Sequence, residues 1–177
     1  MKLYIACGLT HVPRSEFTAY VCLIEEIAKF LETKLGAEVK YALRDSDPQL
    51  ALKPFADRAR LCYVWDREMV EWADVVVAES SYPSTGLGIE LQIACTREIP
   101  IVMVFKLDER HRALPVQYQT PDQEIHNLQL GEGYVSLMAL GLPSVFKVLF
   151  YANVQEACAK VGMAVETLRK PSVNSEA

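Results

Sequence analysis

Short runs of apolar residues alternate along the chain with longer segments in which apolar residues recur every three or four positions. The runs are continuous, which is typical of strands in a parallel sheet that is covered on both faces. We predict five strands from these runs. In chain order they are residues 3–7, 37–42, 74–78, 101–105 and 146–151.

The segments between the runs have the spacing of amphipathic helices. The first spans residues 15–35, with Ser15 as its expected N-cap and Gly36 as its end. Pro54 is expected to start or to break the second long helix. The remaining predicted helices are residues 50–73, residues 88–97, a short one within residues 135–140, and a last one that Asn153 caps and that runs to about residue 169.

Strand and helix alternate throughout, which predicts an α/β fold with a doubly wound, five-stranded parallel sheet of the flavodoxin or Rossmann type. We expect a single domain over residues 1–170 and a disordered tail over residues 171–177. Residues 108–133 are polar and poorly periodic, so a functional or mobile loop is expected there. Ligands bind such sheets at the carboxyl ends of the strands. That rule favours residues 8–11, residues 79–88 and the long loop.

Composition narrows the possible function classes. The 177 residues carry a net charge of -5, which is not the footprint of a nucleic-acid-binding protein. The five cysteines are scattered, which argues against a disulfide framework and a zinc site. None of the three histidines forms a pair with metal-ligand spacing, so we expect no metal and no cofactor.

Targeting signals are also missing from the sequence. No apolar run approaches the roughly 20 residues of a membrane helix. The N-terminus has no pattern of a signal peptide. We therefore expect a cytoplasmic protein without a membrane partner, and nuclear residence stays open.

The most informative segment is residues 82–90, Tyr-Pro-Ser-Thr-Gly-Leu-Gly-Ile-Glu, which follows a buried strand and leads into a helix. Glycines let the backbone approach a ligand closely, and the free N–H groups of a helix start favour an anion. We interpret residues 83–88 as a loop and place Glu90 just inside the helix, where the positive helix end favours its ionised form. An ionised, partly desolvated carboxylate is a competent nucleophile at a sugar anomeric carbon. The competing interpretation is a Glu that only complements the helix dipole.

Asp66 is the second candidate carboxylate, on the helix before the strand at residues 74–78. Cleavage of a glycosidic bond typically uses one carboxylate as nucleophile and one acidic group that protonates the leaving group. Taken alone, Asp66 is more often a solvated helix residue.

Several motifs together resemble one family. Asp66 is followed by Trp-Ala-Asp at residues 72–74, a valine-rich strand, and Pro-Ser-x-Gly-x-Gly-x-Glu-Leu at residues 83–91. This order resembles the nucleoside 2-deoxyribosyltransferase family, and most closely its branch of 2'-deoxynucleoside 5'-monophosphate N-hydrolases. Tyr4 and Gly8 are similar to the family's N-terminal Tyr and Gly. Residues 135–141 look like the late segment that the family lends to a neighbouring subunit's active site.

The resemblance implies a role for each matching residue. Glu90 would attack the anomeric carbon, Asp66 would donate a proton or a hydrogen bond to the base, and Tyr4 would orient Glu90. Ser84 would bind the 5' side of the nucleotide, and Ser136 would reach that side from a partner chain. The other residues expected to contact substrate are Gly8, Leu9, Gly86, Gly88 and Met138.

The resemblance leaves three functions open. The first is hydrolysis of a 2'-deoxynucleoside 5'-monophosphate, favoured by the hydroxyl side chains Ser84 and Ser136, which can donate to a phosphate. The second is exchange of bases between deoxynucleosides, where a second base replaces water. The third is a nucleotide-binding sensor without turnover. A homodimer or a larger homo-oligomer with shared active sites is expected, and the base is left open.

Overall fold

The computed structural model describes residues 1–169, and its centre is a parallel sheet of five strands in the order β2-β1-β3-β4-β7. The predicted doubly wound α/β sheet is therefore confirmed. A separate antiparallel pair, β5 and β6, forms a hairpin within the long segment after β4. The strands are β1 (Lys2–Cys7), β2 (Glu38–Tyr41), β3 (Val75–Glu79), β4 (Ile101–Lys106), β5 (Gln117–Gln119), β6 (Ile125–Asn127) and β7 (Val145–Tyr151).

Helices cover both faces of the sheet. Leu3 and Ile5 of β1 pack into a cluster with α1 and α7, whereas Tyr4 and Ala6 pack into a cluster with α4 and α5. The alternation of a strand therefore aims Tyr4 at the α5 side. The helices are α1 (Phe17–Leu35), α2 (Ala42–Asp45), α3 (Asp47–Leu50), α4 (Phe55–Trp72), α5 (Thr85–Thr96), α6 (Leu137–Leu140) and α7 (Val154–Leu168).

Three of the predicted helix ends are confirmed, and the predicted N-cap of α1 is wrong. Gly36 ends α1 with a φ of 59°, Pro54 directly precedes α4, and Asn153 caps α7 by accepting from Glu156 N at 3.0 Å. The expected cap at Ser15 is wrong. The N-cap of α1 is Glu16, whose side chain makes no capping hydrogen bond.

Helix α5 begins three residues earlier than predicted. Ser84 accepts a hydrogen bond from Leu87 N at 3.1 Å and so caps the helix. This cap and the burial of Leu87 and Leu91 outweigh the helix penalty of about 1 kcal/mol for each glycine. The predicted loop over residues 83–88 is wrong from Thr85 onward.

Residues 108–133 are also more ordered than a plain loop. They contain the β5–β6 hairpin and a 3₁₀ turn, Glu109–His111. The predicted tail at residues 171–177 lies outside the described residues. Within residues 1–169, no helix is both long and apolar enough to cross a membrane.

Candidate active site

Glu90 and Tyr4 meet between the sheet and α5. The Tyr4 hydroxyl donates a hydrogen bond to Oε1 of Glu90. Tyr4 is fully buried and Glu90 is 8% exposed. The predicted pairing of these residues is present, because β1 turns Tyr4 towards the side of the sheet on which α5 lies.

Burial dominates the ionisation of Glu90. Loss of solvation raises its pKa to about 8, the hydrogen bond from Tyr4 lowers it, and the negative charge of Asp66 raises it. Desolvation therefore opposes the expected effect of the helix end on Glu90. Since α5 begins at Thr85, Glu90 lies beyond the first turn, where the helix dipole acts most strongly.

Asp66 lies on α4 and accepts two side-chain hydrogen bonds. Ser46 Oγ donates to its Oδ1 at 3.1 Å, and Cys62 Sγ donates to its Oδ2 at 3.3 Å. Burial raises the pKa of Asp66, the donors Cys62 and Ser46 lower it, and the charge of Asp47 raises it. Asp66 is thus a partly buried acid with a fixed orientation.

The two carboxyl groups are electrostatically coupled. The charge of Asp66 contributes to the raised pKa of Glu90, and it also raises the pKa of Tyr4. Two like charges near each other disfavour double ionisation. Burial raises the pKa of both carboxyl groups, so nucleophilic attack by Glu90 requires the state in which Glu90 has lost its proton.

Gly8 and Ser84 bring the end of β1 against the start of α5. A Cβ on Gly8 would lie 2.6 Å from Cβ of Ser84, which is too close for any side chain. Leu87 N–H donates a hydrogen bond to Ser84 Oγ at 3.1 Å. Gly88 N–H donates to the carbonyl oxygen of Ser84 at 3.2 Å. The first N–H groups of a helix have no acceptor inside it, so those of Thr85 and Gly86 remain for an anion. The Ser84 hydroxyl also keeps its own hydrogen to donate.

A cavity of about 830 Å³ lies between α5, α6 and the segment around residues 111–135. Four of the predicted substrate-binding residues line it, namely Ser84, Gly88, Ser136 and Met138. Tyr4, Gly8, Asp66 and Glu90 are not part of its lining. The predicted site residues therefore form two groups. One is the carboxylate cluster, made of Tyr4, Asp66 and Glu90, and the other lines the cavity. The contact of Ser84 with Gly8 joins the two groups.

The remaining predicted contacts are placed as follows. Gly86 lies near Ser84, because a Cβ added to Gly86 would lie 3.7 Å from Ser84 Oγ. Leu9 packs against the α1–α7 core. Ser136 caps α6 by accepting from Met138 N at 3.3 Å, and the side chain of Met138 is 85% exposed. Contact of Leu9, Ser136 and Met138 with substrate stays a prediction.

Three residues beside Asp66 were not singled out from the sequence: Ser46, Asp47 and Cys62. Cys62 precedes Asp66 by four positions on one helix, and this spacing puts both on the same face, so it could have been found. Ser46 and Asp47 reach Asp66 only through the fold, from the junction of α2 and α3. No sequence signal marks them.

Glu79 fixes the segment that leads to Ser84. It is fully buried at the end of β3 and accepts hydrogen bonds from the Ser81 hydroxyl and, at 3.0 Å, from the Tyr151 hydroxyl. Ser81 Oγ in turn accepts from Lys106 N at 2.8 Å. These bonds tie together the carboxyl ends of β3, β4 and β7, and burial raises the pKa of Glu79. Among residues 1–169, no group of three or more His, Cys, Asp and Glu side chains is arranged to hold a metal ion.

Solved structures with the same fold include an N-glycosidase. CMP N-glycosidase BcmB of Clostridium botulinum matches with a TM-score of 0.55 and 17% identity, over 92% of this chain and 99% of that protein. The chain therefore shares the fold of this N-glycosidase. BlsM matches with a TM-score of 0.57 and 21% identity, over 94% of this chain and 90% of BlsM. A conserved protein of Enterococcus faecalis matches with a TM-score of 0.59 and 18% identity, over 92% of this chain and 98% of that one.

These structural similarities have no counterpart in the comparisons of sequence. No protein-family model matches the chain, and no curated protein is significantly similar to it in sequence. At identities of 17–21%, the shared property is the fold. The features of this chain that bear on its function are the carboxylate cluster and the start of α5.

Proposed function

We propose that the protein hydrolyses the N-glycosidic bond of 2'-deoxynucleoside 5'-monophosphates through a glycosyl-enzyme on Glu90. The products are the free base and deoxyribose 5-phosphate. The observation that carries this proposal is the buried Glu90 carboxyl group, which accepts a hydrogen bond from Tyr4 and is electrostatically coupled to Asp66. A nucleophile with a second carboxyl group nearby is the arrangement that retaining glycosidic cleavage uses.

The first step forms a bond between a Glu90 oxygen and the anomeric carbon of the sugar and breaks the bond from that carbon to the base. Glu90 attacks as the carboxylate while Asp66 holds the proton. The electron pair of the broken bond stays with the base, and Asp66 supplies that proton or a hydrogen bond to a ring nitrogen. In the second step water attacks the anomeric carbon and gives one proton to Asp66, which restores the acid. The bond to Glu90 breaks, so Glu90 leaves as a carboxylate and the sugar is released with a new hydroxyl group. Each step is a displacement at carbon without a redox change.

Tyr4 orients the nucleophile in this scheme. Burial raises the pKa of Tyr4 well above its ordinary value, so its hydroxyl keeps its proton and remains a donor at every working pH. A donor to a carboxylate favours the charged form, which is the form that attacks. The bond also leaves one carboxylate oxygen, Oε2, without this partner and available to the sugar.

The 5'-phosphate would bind at the start of α5. The Ser84 hydroxyl and the N–H groups of Thr85 and Gly86 supply hydrogen bonds without a charge of the wrong sign. Ser84 also touches Gly8 at the end of β1, so a phosphate there would lie between the carboxylate cluster and the cavity. The preference for 2'-deoxyribose rests on the family resemblance alone.

Substitution of Ser84 separates phosphate recognition from cleavage. Ser84→Ala removes one hydrogen bond to a charged group and should lower kcat/KM for a deoxynucleoside monophosphate by roughly tenfold to a hundredfold. Because alanine also removes the cap of α5, Ser84→Asp is the matched variant, since aspartate caps a helix well but repels phosphate. Steady-state kinetics on a deoxynucleoside and on its monophosphate measure both effects.

We expect both variants to cleave the unphosphorylated deoxynucleoside about as well as the wild type does. If the wild type cleaves the unphosphorylated compound as well as the monophosphate, and Ser84→Ala changes nothing, the monophosphate is not the substrate. Base exchange then becomes the leading function, and addition of a second free base should yield a new nucleoside. Binding of deoxynucleotides without release of base by any variant or by the wild type would favour the sensor.

Assembly is part of the proposal. We expect a homodimer, or a larger oligomer of dimers, in which Ser136 reaches the 5' side of a neighbour's site. Met138 and Leu137 are 85% and 46% exposed at the rim of the cavity, and exposed apolar groups of this kind favour an interface.

The substitution Met138→Glu tests this assembly. It should shift the protein to monomer in light scattering and lower turnover by at least about tenfold, because a charge at the centre of an apolar contact is costly. Met163→Glu on α7 is the control, since Met163 is also exposed, at 74%, but lies away from the cavity. A fully active wild-type monomer would eliminate the shared site.

A further inference from the structure

The Asp66 carboxyl group is held from both sides by side-chain hydrogen-bond donors. Oδ1 accepts from Ser46 Oγ at 3.1 Å, and Oδ2 accepts from Cys62 Sγ at 3.3 Å. Ser46 is 1% exposed, so its hydroxyl has no access to solvent, and its other acceptor, the Ala42 carbonyl oxygen, lies farther away at 3.4 Å. Because each oxygen accepts one hydrogen bond, the carboxyl group cannot rotate without losing both.

Cys62 acts here as a donor and not as a reactive thiol. Burial, together with the nearby charge of Asp66, raises the pKa of Cys62 to about 12, so the thiol keeps its proton. Its position one helical turn before Asp66 on α4 keeps the sulfur beside the carboxyl group as long as the helix is formed. A thiol without thiolate character is a poor nucleophile, which leaves the hydrogen bond as its contribution.

We propose that Ser46 and Cys62 are positioning residues that fix the orientation of the Asp66 carboxyl group and set how readily it releases a proton to the base. The inference rests on the proposed function only for the identity of the proton acceptor. The effect of Ser46 and Cys62 on the orientation and acidity of Asp66 does not depend on that function. The donors oppose the groups that make proton release harder. Asp47 on α3 is such a group and acts together with burial. The charge of Asp66 in turn raises the pKa of Glu90 on α5 and of Tyr4 and Cys7 on β1.

The consequence for catalysis follows from the sign of these effects. A hydrogen bond donated to a carboxylate favours its charged form, so losing one donor makes Asp66 a weaker acid. A weaker acid slows departure of the base, and it does so most for bases that are poor leaving groups. A role in packing alone would slow all bases equally and would leave the acidity of Asp66 unchanged.

Titration of the Asp66 carboxyl carbon by ¹³C NMR is the direct test, in the full chain labelled at aspartate. Cys62→Ala should raise the titration midpoint of Asp66 by roughly one pKa unit, and Ser46→Ala should raise it similarly. Cys62→Ser restores a donor and should titrate like the wild type. Cys22→Ala is the control, because Cys22 is exposed on α1. The proposal is overturned if Cys62→Ala leaves the midpoint unchanged, or if Cys62→Ser shifts it as much as alanine does.

Kinetics of the same variants separate this inference from the proposed function. With a deoxynucleoside monophosphate that the wild type cleaves, Cys62→Ala should move the limb of the kcat/KM profile that belongs to Asp66 to higher pH, and Cys62→Ser should not. Shifted NMR midpoints in a protein that cleaves no nucleotide would refute the proposed function and support the positioning role. Cleavage by the wild type with unshifted midpoints would refute the positioning role alone. Thermal unfolding of Ser46→Ala and Cys62→Ala shows whether each variant is folded, and Cys62→Ser keeps the test decisive if one is not.

Discussion

Replacing Glu90 by glutamine is expected to lower the rate of N-glycosidic cleavage by on the order of a thousandfold or more, because an amide cannot form the glycosyl-enzyme. Glutamine has nearly the same shape, and its carbonyl oxygen can still accept the hydrogen bond from Tyr4. Binding of the nucleotide should therefore persist. Chromatography of the released base measures the rate, and calorimetry measures the binding.

Glu68→Gln is the matched control for this loss, since Glu68 lies on α4 and is exposed. That variant should cleave at the wild-type rate. Cleavage by Glu90→Gln within a few-fold of wild type would show that another group attacks the sugar. A loss of binding together with turnover would point to a structural role of Glu90 instead.

The second large effect is on stability. Burial raises the pKa of Glu90 from an ordinary value of 4.5 to about 8, so the folded protein binds a proton between these values that the unfolded chain releases. A group with a raised pKa in the folded state contributes stability that is fully present below the unfolded pKa and is lost as pH rises through the folded pKa. The wild type should therefore lose a few kcal/mol between about pH 4.5 and pH 8, at up to roughly 1.4 kcal/mol per pH unit.

Glu90→Gln removes this dependence because its amide does not titrate. Urea denaturation of both proteins at pH 5 and at pH 8 gives the free energies of unfolding. The free energy of unfolding of the variant, relative to that of the wild type, should be higher at pH 8 than at pH 5. The titration of all other groups cancels in this difference. Parallel curves for the two proteins would mean that Glu90 is ionised in the folded state across this range.

The sheet was predictable because its strands are buried on both faces. The consecutive valines at residues 75–77 leave no polar face, and only a central strand of a parallel sheet tolerates that. The β5–β6 hairpin was missed for the opposite reason. Its strands have three residues each and every residue is exposed, so no hydrophobic pattern marks them.

The start of α5 shows where local propensity misleads. Gly86 and Gly88 favour a loop when they are weighed alone, but the cap from Ser84 and the packing of Leu87 and Leu91 decide for helix. The position of the helix start then changes the electrostatics of Glu90. Glu90 lies five residues from the helix start and is almost fully buried. Its pKa is therefore set by desolvation and not by the helix dipole.

The candidate site was predictable only in part, because the family resemblance implied the pairing of Tyr4 with Glu90 but no hydrogen-bond partner for Asp66. The bond between Tyr4 and Glu90 follows from the alternation of β1, and the proximity of Cys62 to Asp66 follows from helical spacing. The contact of Ser46 with Asp66 joins residues 20 positions apart and depends on how α2 and α3 cross the end of the sheet. The burial of Glu90 likewise arises only when α5 has packed on β1 and β3.

The most direct measurement of the central claim is the mass of the protein during turnover. Wild-type protein is mixed with a deoxynucleoside monophosphate, quenched in acid within the first turnovers, digested and analysed by mass spectrometry. We predict a deoxyribose 5-phosphate adduct, less one water, on the peptide that contains Glu90, and no adduct on that peptide in Glu90→Gln. Release of free base by the wild type with no adduct at any time, or with the adduct on a different residue, would contradict nucleophilic attack by Glu90.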